Sequence, residues 1–182
     1  MDNEIVKRRS HKNKFSSSLK EWVLCIGVAL ILAILINKFL IFKVYIPSGS
    51  MIPTLNVGDQ LFATRIYNYD NIKRGDILVF KSDELNDTLI KRVIGLPGDK
   101  VVIENGVVSV NGKVLKEDYV KNVDTTFDGT YDVPEGKYFF LGDNRRDSYD
   151  SRKWDNPYID QDDIEAKARL KVYPFSDFGF VD

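Results

Sequence analysis

Ser48, Gly49 and Ser50 stand between Pro47 and Pro53, and this is the first stretch of the chain whose residue types could do chemistry. Proline fixes φ on both sides, and Gly49 allows a close backbone approach, so the loop would hold a hydroxyl rigid and exposed. The same residue types also make an ordinary turn. A second candidate is Lys91, within Leu89-Ile-Lys-Arg-Val-Ile94. Strand alternation puts Leu89, Lys91 and Val93 on one face and Ile90, Arg92 and Ile94 on the other, so the amine shares its face with apolar neighbours. Such a lysine can be an edge-strand residue that blocks aggregation. It can also be a general base. A free amine titrates near pH ~10.4, so a base working around neutrality needs a shift of about 3 units, or roughly 4 kcal/mol, which burial can supply. The third candidate is the polar run Gly142-Asp-Asn-Arg-Arg-Asp-Ser-Tyr-Asp-Ser-Arg152. It reads as a solvated loop, or as a frame in which Asp150 and Arg152 form a bracing ion pair. Ser148 is then of the right type to accept a hydrogen bond from Lys91.

What the chain lacks narrows the chemistry further. Its 182 residues hold one His, at position 11, and one Cys, at position 25. No intramolecular disulfide or Cys-based zinc site can form, and the H-E-x-x-H metalloprotease pattern is missing. Ser-His-Asp and Cys-His mechanisms need an imidazole beside the nucleophile. A hydrolase built from this sequence must therefore use a carboxylate or a lysine as its base, with no metal and no cofactor. Charge is nearly balanced, 26 Lys and Arg against 27 Asp and Glu, which argues against a nucleic-acid partner.

The elements that must position these groups follow from the patterning. Residues 1–20 carry Lys7, Arg8, Arg9, Lys12, Lys14 and Lys20 against Asp2 and Glu4. A charge-free apolar run begins at Trp22 and reaches Ile36, and Phe39-Leu-Ile-Phe42 resumes it after Asn37 and Lys38. Taken as one helix, 21–42 is long enough to cross a bilayer core of about 30 Å, with Trp22 and Lys38 suited to the interfaces. A cleaved secretory signal would also show a basic start and an apolar run. Its nearest small-x-small site, Ser48-Gly49-Ser50, lies too far beyond the apolar stretch, so an uncleaved anchor is the better reading. The positive-inside rule then puts 1–20 in the cytoplasm and 43–182 outside. His11 and the exterior domain would be separated by the membrane, and Cys25 would lie within it.

From 43 onward the sequence reads as mostly β structure. Strand-like runs occur at 60–66, 76–80, 88–94, 137–141 and 168–173. The two Asn-Gly pairs, at 105–106 and 111–112, are two-residue hairpin signals, which makes 100–115 a meander. Residues 116–136 look like a loop-rich excursion, and 100–136 a small hairpin subregion inserted in the domain. The expected architecture is one transmembrane helix followed by an antiparallel, barrel-like β domain.

Four blocks now resemble the type I (leader) signal peptidases in order and spacing: Pro47 to Leu55, Arg74 to Phe80, Lys91 to Asp99, and Gly142 to Arg152. The size and the single anchor are more similar to the short enzymes of Gram-positive bacteria. The resemblance implies a serine endopeptidase that removes signal peptides from secretory preproteins after small-x-small sites. It implies Ser50 as nucleophile, Lys91 as general base, and Ser48 as the hydroxyl that joins the Ser50 N–H in an oxyanion hole. Ser148 would orient the lysine, and Asp150 and Arg152 would brace the site, with Asp143 in the same loop. Ile46, Pro47, Met51, Leu55, Leu89 and Ile90 are candidates for the shallow apolar walls of a substrate groove. The implied partners are signal peptides, the lipid bilayer and the neighbourhood of the secretion translocon. Arg146 stands where many relatives carry an acidic or small residue. A Ser/Lys peptidase dedicated to a pilin or conjugation substrate is the nearest alternative, and a non-enzymatic membrane-tethered β module the more distant one.

Overall fold

The computed structural model describes residues 2–181, with side chains from Lys20 onward. His11 and the basic side chains of the first 19 residues lie outside the described residues. The chain divides into two compact units, Met1–Ile41 and Phe42–Asp182.

The first unit is one helix, α1 (Asp2–Phe39). Its segment Lys20–Phe39 is long and apolar enough to cross a membrane, and none of it is buried against protein. The helix stops earlier than the apolar run suggests. Ile41 and Phe42, which hydropathy assigns to the anchor, instead open strand β1 (Ile41–Tyr45). The alternation of this segment explains the switch: Phe42 and Val44 pack on the core while Ile41, Lys43 and Tyr45 stay exposed.

The second unit is built from β1 and eleven further strands: β2 (Gln60–Arg65), β3 (Ile77–Ser82), β4 (Asp87–Gly95), β5 (Lys100–Glu104), β6 (Val107–Val110), β7 (Lys113–Val114), β8 (Gly129–Asp132), β9 (Lys137–Leu141), β10 (Ile159–Asp160), β11 (Ile164–Tyr173) and β12 (Gly179–Phe180). The large sheet runs β1-β2-β11-β3-β4-β9-β10, with β12 added to β11. The smaller one runs β7-β6-β5-β8. Every pairing with a resolved register is antiparallel. The antiparallel, mostly β unit is as expected, and its large sheet is open, with β1 and β10 at its ends. The meander is where the sequence puts it. Asn105 and Gly106, and then Asn111 and Gly112, all take positive φ, the requirement of the two-residue type I′ turn.

β3 and β4 lie inside the large sheet and are buried on both faces. Ile77 and Val79 point into one apolar cluster with Ile46, Met51, Leu55, Leu61 and Ile90, while Leu78 and Phe80 point into a second with Val93, Phe140 and Trp154. A third cluster joins the small sheet to Ile94, Phe139 and Leu141 of β4 and β9. Each fully buried Leu, Ile or Phe contributes about 1.5–3 kcal/mol. The central strands are thereby a rigid platform for anything mounted on them.

Candidate active site

Strand β4 pairs with β3 on one side and β9 on the other, so Lys91 is not an edge lysine. Its side chain is 4% exposed, in a strand whose last six residues are all buried. The partner hydroxyl arrives on a loop fixed at both ends. Ile46 N–H donates to Asp59 C=O and Gly58 N–H to Ile46 C=O, each at 2.9 Å, which ties the start of the loop to its end. Between them, Met51 and Leu55 have no exposed surface and anchor the loop in the core. The short turn Gly49–Met51 then carries Ser50 over the platform.

Ser50 Oγ lies 2.8 Å from Lys91 Nζ. That separation serves the proton in either place: an ammonium donates across it, and a neutral amine accepts from the hydroxyl. Lys91 Nζ also donates to Ile90 C=O at 3.3 Å. Burial strips water from the amine and lowers its pKa from 10.5 to about 8, against the smaller pull of the Asp150 carboxylate, which raises it. A free amine that is largely charged at neutral pH becomes one that is partly neutral there. Ser48 Oγ lies 3.4 Å from Ser50 Oγ, on the exposed side of the loop.

The polar run 142–152 folds over this pair as a network of buried ions. Asp150 accepts from Arg152 Nε at 2.8 Å and Nη2 at 2.9 Å, and also from Gly142 N–H at 3.0 Å. Arg152 reaches on to Asp124 at 3.3 Å and to Arg145 C=O at 2.6 Å. Asp143 takes a two-pronged contact from Arg92, at 2.9 and 2.8 Å, and a third bond from Thr54 Oγ1. Thr54 follows the Ser50 loop and Arg92 follows Lys91, so Asp143 joins the two candidate segments. Burying such ions costs several kcal/mol each unless they are paired, and here each carboxylate faces a fork-shaped guanidinium.

Two expectations from sequence change. Ser148 is not bonded to Lys91. Its hydroxyl is buried without a hydrogen-bond partner, while the lysine bonds to Ser50 Oγ and the Ile90 carbonyl. Ser148 is nonetheless close to the Ser50 loop, because a Cβ placed on Gly142 would meet both Ser148 Oγ and Ser50 C=O. Ile46, Met51 and Leu55, proposed as groove walls, are 0–1% exposed. They form the floor under the loop and have no surface left for a substrate. Pro47 is exposed, Leu89 is half-buried, and Ile90 reaches the surface only at 9%.

Sequence reading missed the partners that residues 117–124 of the 116–136 excursion supply. Glu117 pairs with Arg145 at 2.6 and 3.0 Å, the Tyr119 ring lies 3.9 Å from the Arg92 guanidinium, Asn122 bonds Asn144, and Asp124 bonds Arg152. Asn144 lies in the polar run 142–152, where nothing in the sequence assigns it a role. Its side chain bonds Gly49 C=O and its backbone N–H bonds Ser50 C=O. No periodicity or motif links 116–127 to 142–152. Only the register of β5 with β8 and of β4 with β9 brings them together.

Ser50 and Lys91 thus meet in a buried contact framed by ion pairs on a β platform. The family described as signal peptidase, peptidase S26, matches residues 19–173. A signal peptidase I from Bacillus licheniformis is 40% identical over 178 residues, covering 91% of this chain and 95% of that protein. One from Leptolyngbya laminosa is 39% identical over 175 residues, 91% of this chain and 85% of that one. Signal peptidase I P of Bacillus subtilis subsp. natto is 39% identical over 184 residues, 94% and 97%. The chain belongs to the signal peptidase family, peptidase S26.

Proposed function

We propose that this protein is a membrane-anchored serine endopeptidase that uses Ser50 and Lys91 to cut signal peptides from secretory preproteins after small-x-small sequences. The observation that carries the reading is the 2.8 Å Ser50 Oγ to Lys91 Nζ contact at a buried amine. Neutral Lys91 takes the Ser50 proton as Oγ attacks the scissile carbonyl. The carbonyl's electron pair moves to its oxygen, which the Ser50 N–H and the Ser48 hydroxyl hold. One such donor can be worth about 3 kcal/mol. The new Lys91 ammonium passes its proton to the leaving amine, and the acyl–Ser50 ester is then hydrolysed by water that Lys91 deprotonates in turn. The unpartnered Ser148 hydroxyl supports this cycle. An ammonium has one hydrogen more than the amine, and we assign Ser148, whose buried hydroxyl makes no hydrogen bond here, to receive it on protonation.

Pro47, Leu89 and Ile90 would form the small apolar walls beside the scissile bond, on the floor of Ile46, Met51 and Leu55. The basic residues before Trp22 favour a cytoplasmic N-terminus and an extracytoplasmic catalytic unit. Ser50 follows the last residue of α1 by only eleven positions, which suits a substrate that emerges from the bilayer. The test is cleavage of a preprotein with an Ala-x-Ala site by the full chain in detergent or vesicles. Ser50→Ala and Lys91→Ala should each abolish cleavage while the protein stays folded and membrane-bound. Turnover retained by Lys91→Ala would refute the dyad.

A further inference from the structure

The oxyanion-hole donor assigned above, the Ser50 N–H, belongs to the peptide unit whose carbonyl is that of Gly49. The direction of that N–H is therefore set by whatever holds the Gly49 C=O. Asn144 Nδ2 donates to Gly49 C=O at 3.0 Å, and Ile52 N–H donates to the same oxygen at 3.2 Å. The Asn144 backbone N–H donates to Ser50 C=O at 3.0 Å. One buried residue thus grips the peptide units on both sides of the nucleophile. The orientation of its amide is not arbitrary. With Nδ2 facing a carbonyl, Oδ1 needs a donor, and Asn122 Nδ2 supplies it at 3.1 Å. Turning the amide over would set oxygen against oxygen at Gly49 and nitrogen against nitrogen at Asn122.

We infer that Asn144 is a positioning residue for the reaction: through the Gly49 carbonyl it fixes the plane of the Gly49–Ser50 peptide so that the Ser50 N–H points at the developing oxyanion, with Asn122 holding the amide in that orientation. Without this grip only the longer Ile52 N–H bond restrains the Gly49 carbonyl, and Gly49, which lacks a Cβ, offers little resistance to rotation of the peptide. A hydrogen bond accepted at the carbonyl also polarises the peptide and strengthens its N–H as a donor. The effect falls on the transition state, because a ground-state carbonyl carries little of the charge that the N–H meets.

This inference rests on the reading of Ser50 as nucleophile, and the experiment separates the two. Wild type, Ser50→Ala, Asn144→Ala and Asn122→Ala are compared as full chains on a peptide substrate, with rates expressed per titrated active site. Two ligands are added. A peptide ending in alanine aldehyde is attacked by Ser50 Oγ at its carbonyl carbon, the Ser50 proton moves through Lys91, and the resulting hemiacetal oxygen occupies the hole. The matching peptide alcohol forms no such adduct. Asn144→Ala should lower kcat by about tenfold to a hundredfold, less than outright removal of a donor. KM, the alcohol's affinity and the pH midpoint of the rate should stay unchanged, and aldehyde affinity should fall by the same factor as kcat. Asn122→Ala, on an exposed loop and safe for folding, should move kcat and aldehyde affinity the same way by a few fold. An Asn144→Ala enzyme with unchanged kcat per site overturns the inference. So does one whose alcohol and aldehyde affinities fall together, since that is general damage to the groove. If Asn144→Ala does not fold, unchanged kcat and aldehyde affinity in Asn122→Ala overturn it instead. Retained turnover in Ser50→Ala would sink the reading beneath it, whatever Asn144 does.

Discussion

Lys91→Met removes the amine but keeps a side chain of similar length, and it should abolish cleavage while making the protein harder to unfold. The magnitude follows from the pKa. In the folded protein Lys91 titrates at about 8, against 10.5 when exposed in the unfolded chain. Between those values the unfolded state holds a proton that the folded state does not, so wild-type stability climbs as pH rises from about 8 towards 10.5. Below about 8 both states are protonated, and the fold carries the full penalty of a buried ammonium. Two and a half units at about 1.36 kcal/mol each make that penalty roughly 3 kcal/mol. Methionine never carries it. The variant lacks the Ser50 and Ile90 contacts at every pH, so the difference between the two proteins' pH responses isolates the ionisation. Thermal unfolding in the same detergent at pH 7 and pH 10 is the assay. The variant's advantage should be larger at pH 7 by roughly 3 kcal/mol, a melting-temperature difference on the order of 10 °C, and should shrink towards pH 10. An advantage that does not change with pH, or that grows as pH rises, would show that the amine is not desolvated and that burial does not lower its pKa.

The rate of preprotein cleavage should rise with pH through a midpoint near 8, falling about tenfold per unit below it, because only neutral Lys91 can take the serine proton; a limb that begins only above pH 10 would contradict this. Gly142→Ala should cost activity far beyond its effect on stability. The added Cβ would run into Ser148 Oγ and sit 2.5 Å from Ser50 C=O, displacing the nucleophile for an overpacking cost of about 1–3 kcal/mol; comparing titrated active sites with the melting temperature checks it. Asp143→Asn should destabilise the protein by roughly 3–5 kcal/mol in denaturant unfolding, because it leaves the Arg92 guanidinium, itself 4% exposed, without its counter-charge.

The apolar N-terminal helix and the antiparallel, mostly β unit were legible in the sequence, as were the residue types of the candidate site. Proline, glycine and serine around Ser50, and a lysine that shares its strand face with Leu89 and Val93, can be picked out from a few nearby residues, because a rigid loop and an apolar strand are local properties. The two Asn-Gly turns were equally local, and their positive φ values follow from residue type alone. The end of α1 was misplaced because hydropathy does not distinguish lipid from a protein core: Phe42 and Val44 are apolar for the second reason. Two-residue strands such as β10 and β12 have no period to read. Barrel closure depends on which strands end the sheet, and alternation within a strand carries no such information. The partners of the polar loop were invisible for a related reason. Glu117, Asn122 and Asp124 sit in a stretch that looks solvated, and only long-range strand pairing brings them to Arg145, Asn144 and Arg152. Met51 and Leu55 read as groove walls because apolar residues beside a nucleophile look alike whether they face the substrate or the floor beneath it.

The account turns on the charge state of one amine beside one hydroxyl. The most direct measurement is an NMR titration of the lysine Nζ and Cε resonances in the full chain in micelles, with the Lys91 signal assigned by its loss in Lys91→Met. The account predicts a single lysine titrating near pH 8, well apart from the rest, with a midpoint that changes when Ser50 is replaced by Ala because the two groups are in contact. A Lys91 signal that titrates near 10.5 with the exposed lysines, and that does not respond to Ser50→Ala, would contradict it.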